Sequence, residues 1–158
     1  TESIAMLKKL LLVLFLGHLT TAATAFELVD SQGKRHSLAG YKGKWVLVNY
    51  WATWCPPCLH ELPDLAALHK DKKNNLVVLG VALEYQDPSE VLSFAKARKL
   101  PFPIILGDKQ PIEQVGPVRG LPTTYLFNPR GTQVAYNVGA LTREAVVAYI
   151  SDPKNAAK

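Results

Sequence analysis

Cys55 and Cys58 are the residues of this chain best suited to covalent chemistry. They are its only cysteines, they stand two residues apart, and they closely follow the apolar segment 45–51. A buried strand that delivers a Cys-x-x-Cys pair to the start of a helix is typical of a dithiol–disulfide redox site. Backbone N–H groups and the helix dipole favour a thiolate at the first cysteine of such a pair. The spacing therefore predicts thiol–disulfide exchange.

Three other uses of a cysteine pair fit the sequence less well. A structural zinc site needs about four ligands, and no second cysteine pair is present to complete one. A purely structural disulfide across so short a loop would stabilise the fold by only ~2 kcal/mol. Two thiolates can hold Cu(I) and pass it on, but there is no methionine-rich or histidine-rich segment, and Met6 is the only methionine. We expect no metal, and no cofactor beyond a redox-active Cys55–Cys58 disulfide.

The residues between the cysteines bear on the direction of electron flow. Pro56 and Pro57 have no N–H, so two of the free donors at the helix start are missing. The Cys55 thiolate is then less stabilised, which lowers the reduction potential of the pair. The two prolines favour a reductant over an oxidant.

Composition and charge describe one globular domain. Apolar residues make up 48% of the 158 residues and charged residues 20%, which is enough for a sizeable core. The net charge of +5 is spread along the chain. Nucleic-acid binding would need a denser basic patch with interleaved aromatics, so we expect no nucleic-acid partner.

The first 25 residues have the pattern of a signal peptide. Lys8 and Lys9 precede an apolar run over 10–17, and small residues at 23–25 offer a cleavage site before Phe26. The run is much shorter than the roughly 20 residues of a membrane span; an uncleaved anchor is the alternative. We expect export to the bacterial periplasm or to the outer face of the cytoplasmic membrane, where partner proteins must keep the cysteine pair in its working state.

The remaining chain predicts an α/β domain over 26–151. A hairpin over 26–38 comes first, and buried strands at 45–51 and 76–83 alternate with helices. A second hairpin over 123–138 is followed by a helix that Thr142 caps. This order predicts a central mixed sheet with helices on both faces. Residues 152–158 are predicted to be a flexible tail.

Five segments carry a resemblance to a known family: Gly43-Lys44, residues 48–58, Glu61 with Pro63, residues 120–124 and residues 128–131. With these segments the chain resembles the thioredoxin superfamily, and within it the exported TlpA-like and ResA-like thiol-disulfide oxidoreductases. The resemblance covers essentially all of 26–151. It implies a thioredoxin-like fold extended by an N-terminal β-hairpin, and we expect a monomer.

The site roles follow from exchange chemistry and from the resemblance. Cys55 should be the attacking thiolate and Cys58 the resolving thiol. Leu121-Pro122 resembles the cis-proline loop of the superfamily, which offers backbone groups to an extended substrate. Trp54 and Pro56, which flank Cys55, are expected to line the substrate surface.

The group that takes the proton of the resolving thiol is harder to assign. Many cytoplasmic thioredoxins have a buried Asp where this chain has Asn49, which cannot carry a proton. The exported branch places a Glu after the next strand, so we expect a buried Glu84 to serve. Glu61 is interpreted as a helix-surface or motif-supporting residue. His36, His60 and His69 are interpreted as surface residues without metal-ligand partners.

The combined prediction is an exported reductase of protein disulfides. Its substrates would be apocytochrome cysteine pairs before haem attachment or oxidised metal-chaperone thiols, and a membrane thiol-disulfide reductase would supply electrons. The alternatives are an exported thiol oxidase or isomerase and a Cu(I)-binding dithiol chaperone. A peroxidase fits less well, because such sites rest on one reactive cysteine in a different motif.

Overall fold

The computed structural model describes residues 26–107 and 109–158. The predicted signal peptide therefore lies outside the described residues. The strands are β1 Glu27–Val29, β2 Arg35–Ser37, β3 Trp45–Trp51, β4 Leu76–Ala82, β5 Ile104–Leu106, β6 Thr123–Phe127 and β7 Gln133–Val138. The helices are α1 Pro56–Lys70, α2 Pro88–Ala97, α3 Lys109–Val115, α4 Arg143–Ser151 and α5 Pro153–Ala157, with 3₁₀ turns at Ala39–Tyr41 and Lys72–Asn74.

Five strands form one mixed sheet in the order β5-β4-β3-β6-β7. The central strand β3 runs parallel to β4 and antiparallel to β6. Strands β1 and β2 form a separate antiparallel pair. The thioredoxin-like fold, its mixed sheet and its N-terminal hairpin are thus confirmed.

Strand β3 is buried along its whole length because both faces of the sheet are covered. Leu47 and Trp51 belong to a core that includes residues of α1, α2 and α4. Val48 and Tyr50 belong to a second core, with residues of the hairpin and of α3. This explains the near-continuous apolar sequence of β3, which is typical of a strand covered on both sides. The strand delivers its carboxyl end, and the cysteine loop after it, at a fixed position.

The structure corrects two predictions, the flexible C-terminal tail and the surface position of the histidines. Residues 153–157 form α5 rather than a flexible tail, because Asp152 caps the helix and the Asn128 side chain bonds to the Asn155 carbonyl oxygen at 3.4 Å. His36 is only 2% exposed, since Asp30 and Tyr41 bind its two ring nitrogens. His69 is partly buried, and its Nδ1 accepts from the Val78 N–H.

Within the described ranges, no helix is long and apolar enough to cross a membrane.

Candidate active site

The two cysteines lie at the start of α1, immediately beyond the carboxyl end of β3. They are joined by a disulfide, with Cys55 at 3% exposure and Cys58 at 0%. Cys55 is the N-cap of α1, and its Sγ accepts from the Cys58 N–H at 3.4 Å. Pro56 and Pro57 occupy the two positions between them, so Cys58 is the first residue of the helix with an N–H to donate. The helix start is as poor in donors as the sequence predicts.

Cys55 lines an open cavity of about 390 Å³. Trp54 borders this cavity and is 58% exposed, and its Nε1–H donates to the Glu84 carbonyl oxygen at 3.2 Å. Arg119 and Glu84 add one cation and one anion to the lining. The cavity can therefore admit a peptide segment beside the Cys55 sulfur.

The loop that precedes β6 also lines the cavity, with Arg119, Gly120 and Leu121. The Leu121–Pro122 peptide bond is cis, as the resemblance implies. The Gly139 N–H donates to the Pro122 carbonyl oxygen at 2.9 Å and ties this loop to the end of β7. The Leu121 backbone makes no hydrogen bond with any residue that the structure describes. Its polar groups are free to pair with an extended substrate segment.

The expectation of a buried Glu84 is wrong. Strand β4 ends at Ala82, and Glu84 is exposed with a φ of 53°, in the left-handed region. The chain turns outward at this point, which an apolar strand pattern cannot show. The hydrogen bond that links Glu84 to the site is made by its backbone carbonyl group, which holds the indole of Trp54.

The buried carboxyl group at the site belongs to Glu61, which the sequence pattern led us to interpret as a helix-surface or motif-supporting residue. Glu61 is 1% exposed; its Oε1 accepts from Asn49 Nδ2 at 2.6 Å and its Oε2 from the Leu141 N–H at 2.8 Å. Burial raises its pKa to about 7 and nearby Asp64 adds to this, while the two hydrogen bonds oppose the rise. Such a group can accept and release a proton near neutrality.

The position of Glu61 on α1 relates it to Cys58. Residues three apart on a helix share one face, and Leu62 and Leu65 continue the same buried face. The signal for this burial was present in the sequence, as the spacing between Cys58, Glu61 and the following leucines. The structure thus brings the sulfur of Cys58 and a titratable carboxyl group onto one buried helix face.

The described part of the chain holds no group of three or more His, Cys, Asp or Glu residues that could bind a metal ion. A larger cavity of about 780 Å³ lies at the other end of the sheet, near the start of β5, and neither cysteine lines it.

Comparison with known proteins agrees with this geometry. Residues 19–136 match the AhpC/TSA family. The chain belongs to the AhpC/TSA family. It is 38% identical over 124 residues to the thioredoxin-like protein YneN of Bacillus subtilis, covering 77% of this chain and 72% of that protein. It is 34% identical over 129 residues to the thiol-disulfide oxidoreductase ResA of Bacillus subtilis, covering 82% and 72%.

Solved structures give the same result. The pneumococcal exposed lipoprotein thioredoxin Etrx1 of Streptococcus pneumoniae superposes with a TM-score of 0.70 at 28% identity, covering 81% of this chain and 98% of that one. StoA of Bacillus subtilis superposes with a TM-score of 0.69 at 27% identity, covering 80% and 96%. The chain is a thioredoxin-like thiol-disulfide oxidoreductase.

Proposed function

We propose that this oxidoreductase is an exported reductase of protein disulfides that works through Cys55 and Cys58. The observation that carries the proposed direction is the donor-poor start of α1. Pro56 and Pro57 leave the Cys58 N–H as the first helix amide able to donate to Cys55 Sγ. A thiolate with few donors is a less stable reduced form, and the pair then gives up its electrons more readily.

The unequal surroundings of the two sulfurs support their separate roles. Cys55 lines the open cavity, so its thiolate is the one that can attack a substrate disulfide. That attack breaks the substrate S–S bond, forms a mixed disulfide and releases one substrate thiolate. Cys58 then attacks the Cys55 sulfur, which releases the second substrate thiolate and forms the Cys55–Cys58 disulfide. The substrate gains two electrons, and the enzyme loses two.

The second step needs a group that removes the proton of Cys58. A buried thiol gives up its proton less readily than an exposed one. We assign this proton to the carboxylate of Glu61, which is buried on the same helix face and titrates near neutrality. Glu84 stays a prediction of the sequence for the same role, and its exposed position argues against it.

The cavity walls fit an extended peptide substrate. Trp54 and Pro56 would contact it on the cysteine side, and the free backbone of Leu121 beside Pro122 would pair with it on the other. We propose disulfides of apocytochrome cysteine pairs or of metal-chaperone thiols as the substrates, and a membrane thiol-disulfide reductase as the source of electrons.

Export is proposed from the signal-peptide pattern of residues 1–25. The similarity to a protein described as an exposed lipoprotein supports it. Expression of the full chain in a bacterium, followed by fractionation and N-terminal sequencing, should recover a periplasmic form that begins at Phe26. Recovery in the cytoplasm with an intact leader would contradict export.

The reduction potential of the cysteine pair tests the direction of electron flow. In a glutathione-buffered titration we expect a value nearer the ~−270 mV of thioredoxin than the ~−120 mV of a strong exported oxidant. A value close to −120 mV would replace the reductase assignment with that of an oxidase.

A further inference from the structure

We propose that Asn49 is a positioning residue for the redox reaction: its amide fixes Glu61 as the single proton acceptor for Cys58. This inference rests on the proposed exchange mechanism and adds to it a residue of the central strand. It concerns how the buried carboxylate is held between the two steps of the reaction.

Asn49 lies in the middle of the central strand, where its surroundings are fixed on both sides. It is 0% exposed, and its backbone pairs with Gly80 of β4 and Thr124 of β6. Its Nδ2 donates to Glu61 Oε1 at 2.6 Å and to Thr124 Oγ1 at 3.1 Å. Both amide hydrogens therefore have acceptors, one of them the carboxyl group of Glu61.

The other end of the same amide is unpaired. Asn49 Oδ1 is buried and has no hydrogen-bond partner among the described residues. An unsatisfied carbonyl oxygen is unfavourable in a core, where most polar atoms are bonded. The donor end thus holds the amide in its present orientation. If position 49 only had to be filled, an apolar side chain would do so without the cost of an unpaired oxygen.

The neutrality of the amide matters as much as its donor. If position 49 carried a second carboxyl group at this distance from Glu61, the two would share one proton and titrate as a coupled pair. An amide leaves Glu61 to titrate alone. It also favours the charged form of Glu61, since a donated hydrogen bond stabilises a carboxylate.

Both oxygens of Glu61 are held, so the direction of the carboxyl group is set. Asn49 binds Oε1, and the Leu141 N–H from the segment between β7 and α4 binds Oε2. The proton from Cys58 must then enter at a lone pair that these two donors leave open. Loss of the Asn49 contact should destabilise the charged form of Glu61 and free the orientation of its carboxyl group. The cavity beside Cys55 should be unchanged.

Two measurements on the oxidoreductase and three variants test this role. The first follows the Glu61 carboxyl carbon by NMR from pH 4 to 9. The second follows the rate at which a mixed disulfide on Cys55 is resolved over the same pH range. The variants are Asn49→Leu, which removes the donor, Asn49→Asp, which adds a second carboxyl group, and Thr124→Val, which removes the other acceptor of the same amide.

In Asn49→Leu we expect the Glu61 midpoint to rise by about one pH unit, a tenfold change in proton affinity, and the midpoint of the resolution rate to rise with it. Asn49→Asp should show two coupled titrations in place of one. Thr124→Val should leave both midpoints near those of the parent, because the Glu61 contact remains. If Asn49→Leu does not fold, the comparison of Asn49→Asp with Thr124→Val carries the same test.

Two results would overturn the proposal. One is a Glu61 midpoint that is the same in the parent and in every folded variant of Asn49. The other is a Glu61 midpoint that moves while the pH profile of resolution stays in place, which would limit Asn49 to a structural role. A parent protein that forms no mixed disulfide would instead contradict the proposed function, whatever the NMR titration shows.

Discussion

Two buried polar clusters in this domain differ in how completely their groups are paired. Beneath the N-terminal hairpin, His36 is bound on both ring nitrogens, by Tyr41 Oη at 2.5 Å and by Asp30 Oδ2 at 2.8 Å. Asp30 Oδ1 also accepts two backbone N–H groups. Beside the cysteines, Glu61 accepts two hydrogen bonds, and the side-chain oxygen of Asn49 has no hydrogen-bond partner in the part of the chain that the structure describes.

The pKa values of the two carboxyl groups are shifted in opposite directions. Burial acts to raise the pKa of Asp30, but the hydrogen bonds from His36 and from backbone N–H groups outweigh it and hold the pKa below its ordinary value. Burial of Glu61 is deeper and its donors are fewer, so its pKa rises to about 7. The surroundings of Asp30 favour its charged form, whereas those of Glu61 let it change charge near neutrality.

The largest effect is expected from removing either cysteine sulfur. Cys55→Ala should abolish disulfide exchange, because no other thiol lines the cavity. Cys58→Ala should still attack and then stall as a mixed disulfide. Mass spectrometry after challenge with a disulfide peptide distinguishes these outcomes. Equal trapping by both variants would contradict the assignment of Cys55 as the nucleophile.

Replacing the two candidate acids compares the buried site with its exposed rim. Glu61→Gln should slow resolution of the mixed disulfide by roughly 100-fold or more, as loss of a general base does. Glu84→Gln is the matched control and should resolve at nearly the parental rate. Stopped-flow measurement of the release step gives both values. The reverse ranking would restore the sequence-based assignment of Glu84.

The pH dependence of stability should have opposite signs at the two carboxyl groups. The pKa of Glu61 rises from 4.5 to about 7 on folding, so its contribution is full below pH 4.5 and is lost as pH rises to 7. The loss is about 3 kcal/mol, at 1.36 kcal/mol per pH unit. Urea unfolding of the disulfide form should show Glu61→Gln gaining stability relative to the parent across this window.

Asp30→Asn should show the contrary trend. Because folding lowers the pKa of Asp30 below 3.8, its contribution is present above that pH and is lost on further acidification. The variant should therefore unfold at lower urea than the parent at pH 7, and the difference should shrink below about pH 4. A parallel response of Asp30→Asn and Glu61→Gln would remove the contrast between the clusters.

The smallest effect is expected at the helix start. Pro57→Ala adds an N–H at the second helical position, where it can donate to Cys55 Sγ. A more stable thiolate should raise the reduction potential by up to about 30 mV, equivalent to 1.4 kcal/mol for two electrons. A glutathione-buffered titration of parent and variant measures the shift. A lower potential in the variant would contradict the argument from missing donors.

Much of this arrangement could be predicted from local pattern. The continuous apolar sequence of β3 indicated a strand covered on both faces, and the cysteine spacing indicated the helix start. The caps at Asp87 and Thr142 were also predictable, because short polar side chains there precede amphipathic helices. These features depend on residues close together in the chain.

Predicting the buried acid at the site required information of a different kind. Glu61 lies on the face of α1 that carries Leu62, Leu65 and Leu68, so helical periodicity alone pointed inward. Its charge argued for the surface, and only its partners Asn49 and Leu141, 12 and 80 residues away, make its burial tolerable. The expected burial of Glu84 was wrong for the converse reason: the chain turns outward at Glu84 itself, whose φ of 53° lies in the left-handed region.

The indole of Trp54 has an optical consequence. It directly precedes Cys55, is anchored at Nε1 by the Glu84 carbonyl oxygen and borders the same cavity as the disulfide. A disulfide quenches the fluorescence of a neighbouring indole, so reduction should brighten the emission. Trp54→Phe should remove the share of that change that comes from Trp54 and leave the share of Trp51, which packs in the same core cluster as the two cysteines. The other two tryptophans are buried in the core. The exposed ring therefore provides a label-free signal for following electron transfer in real time.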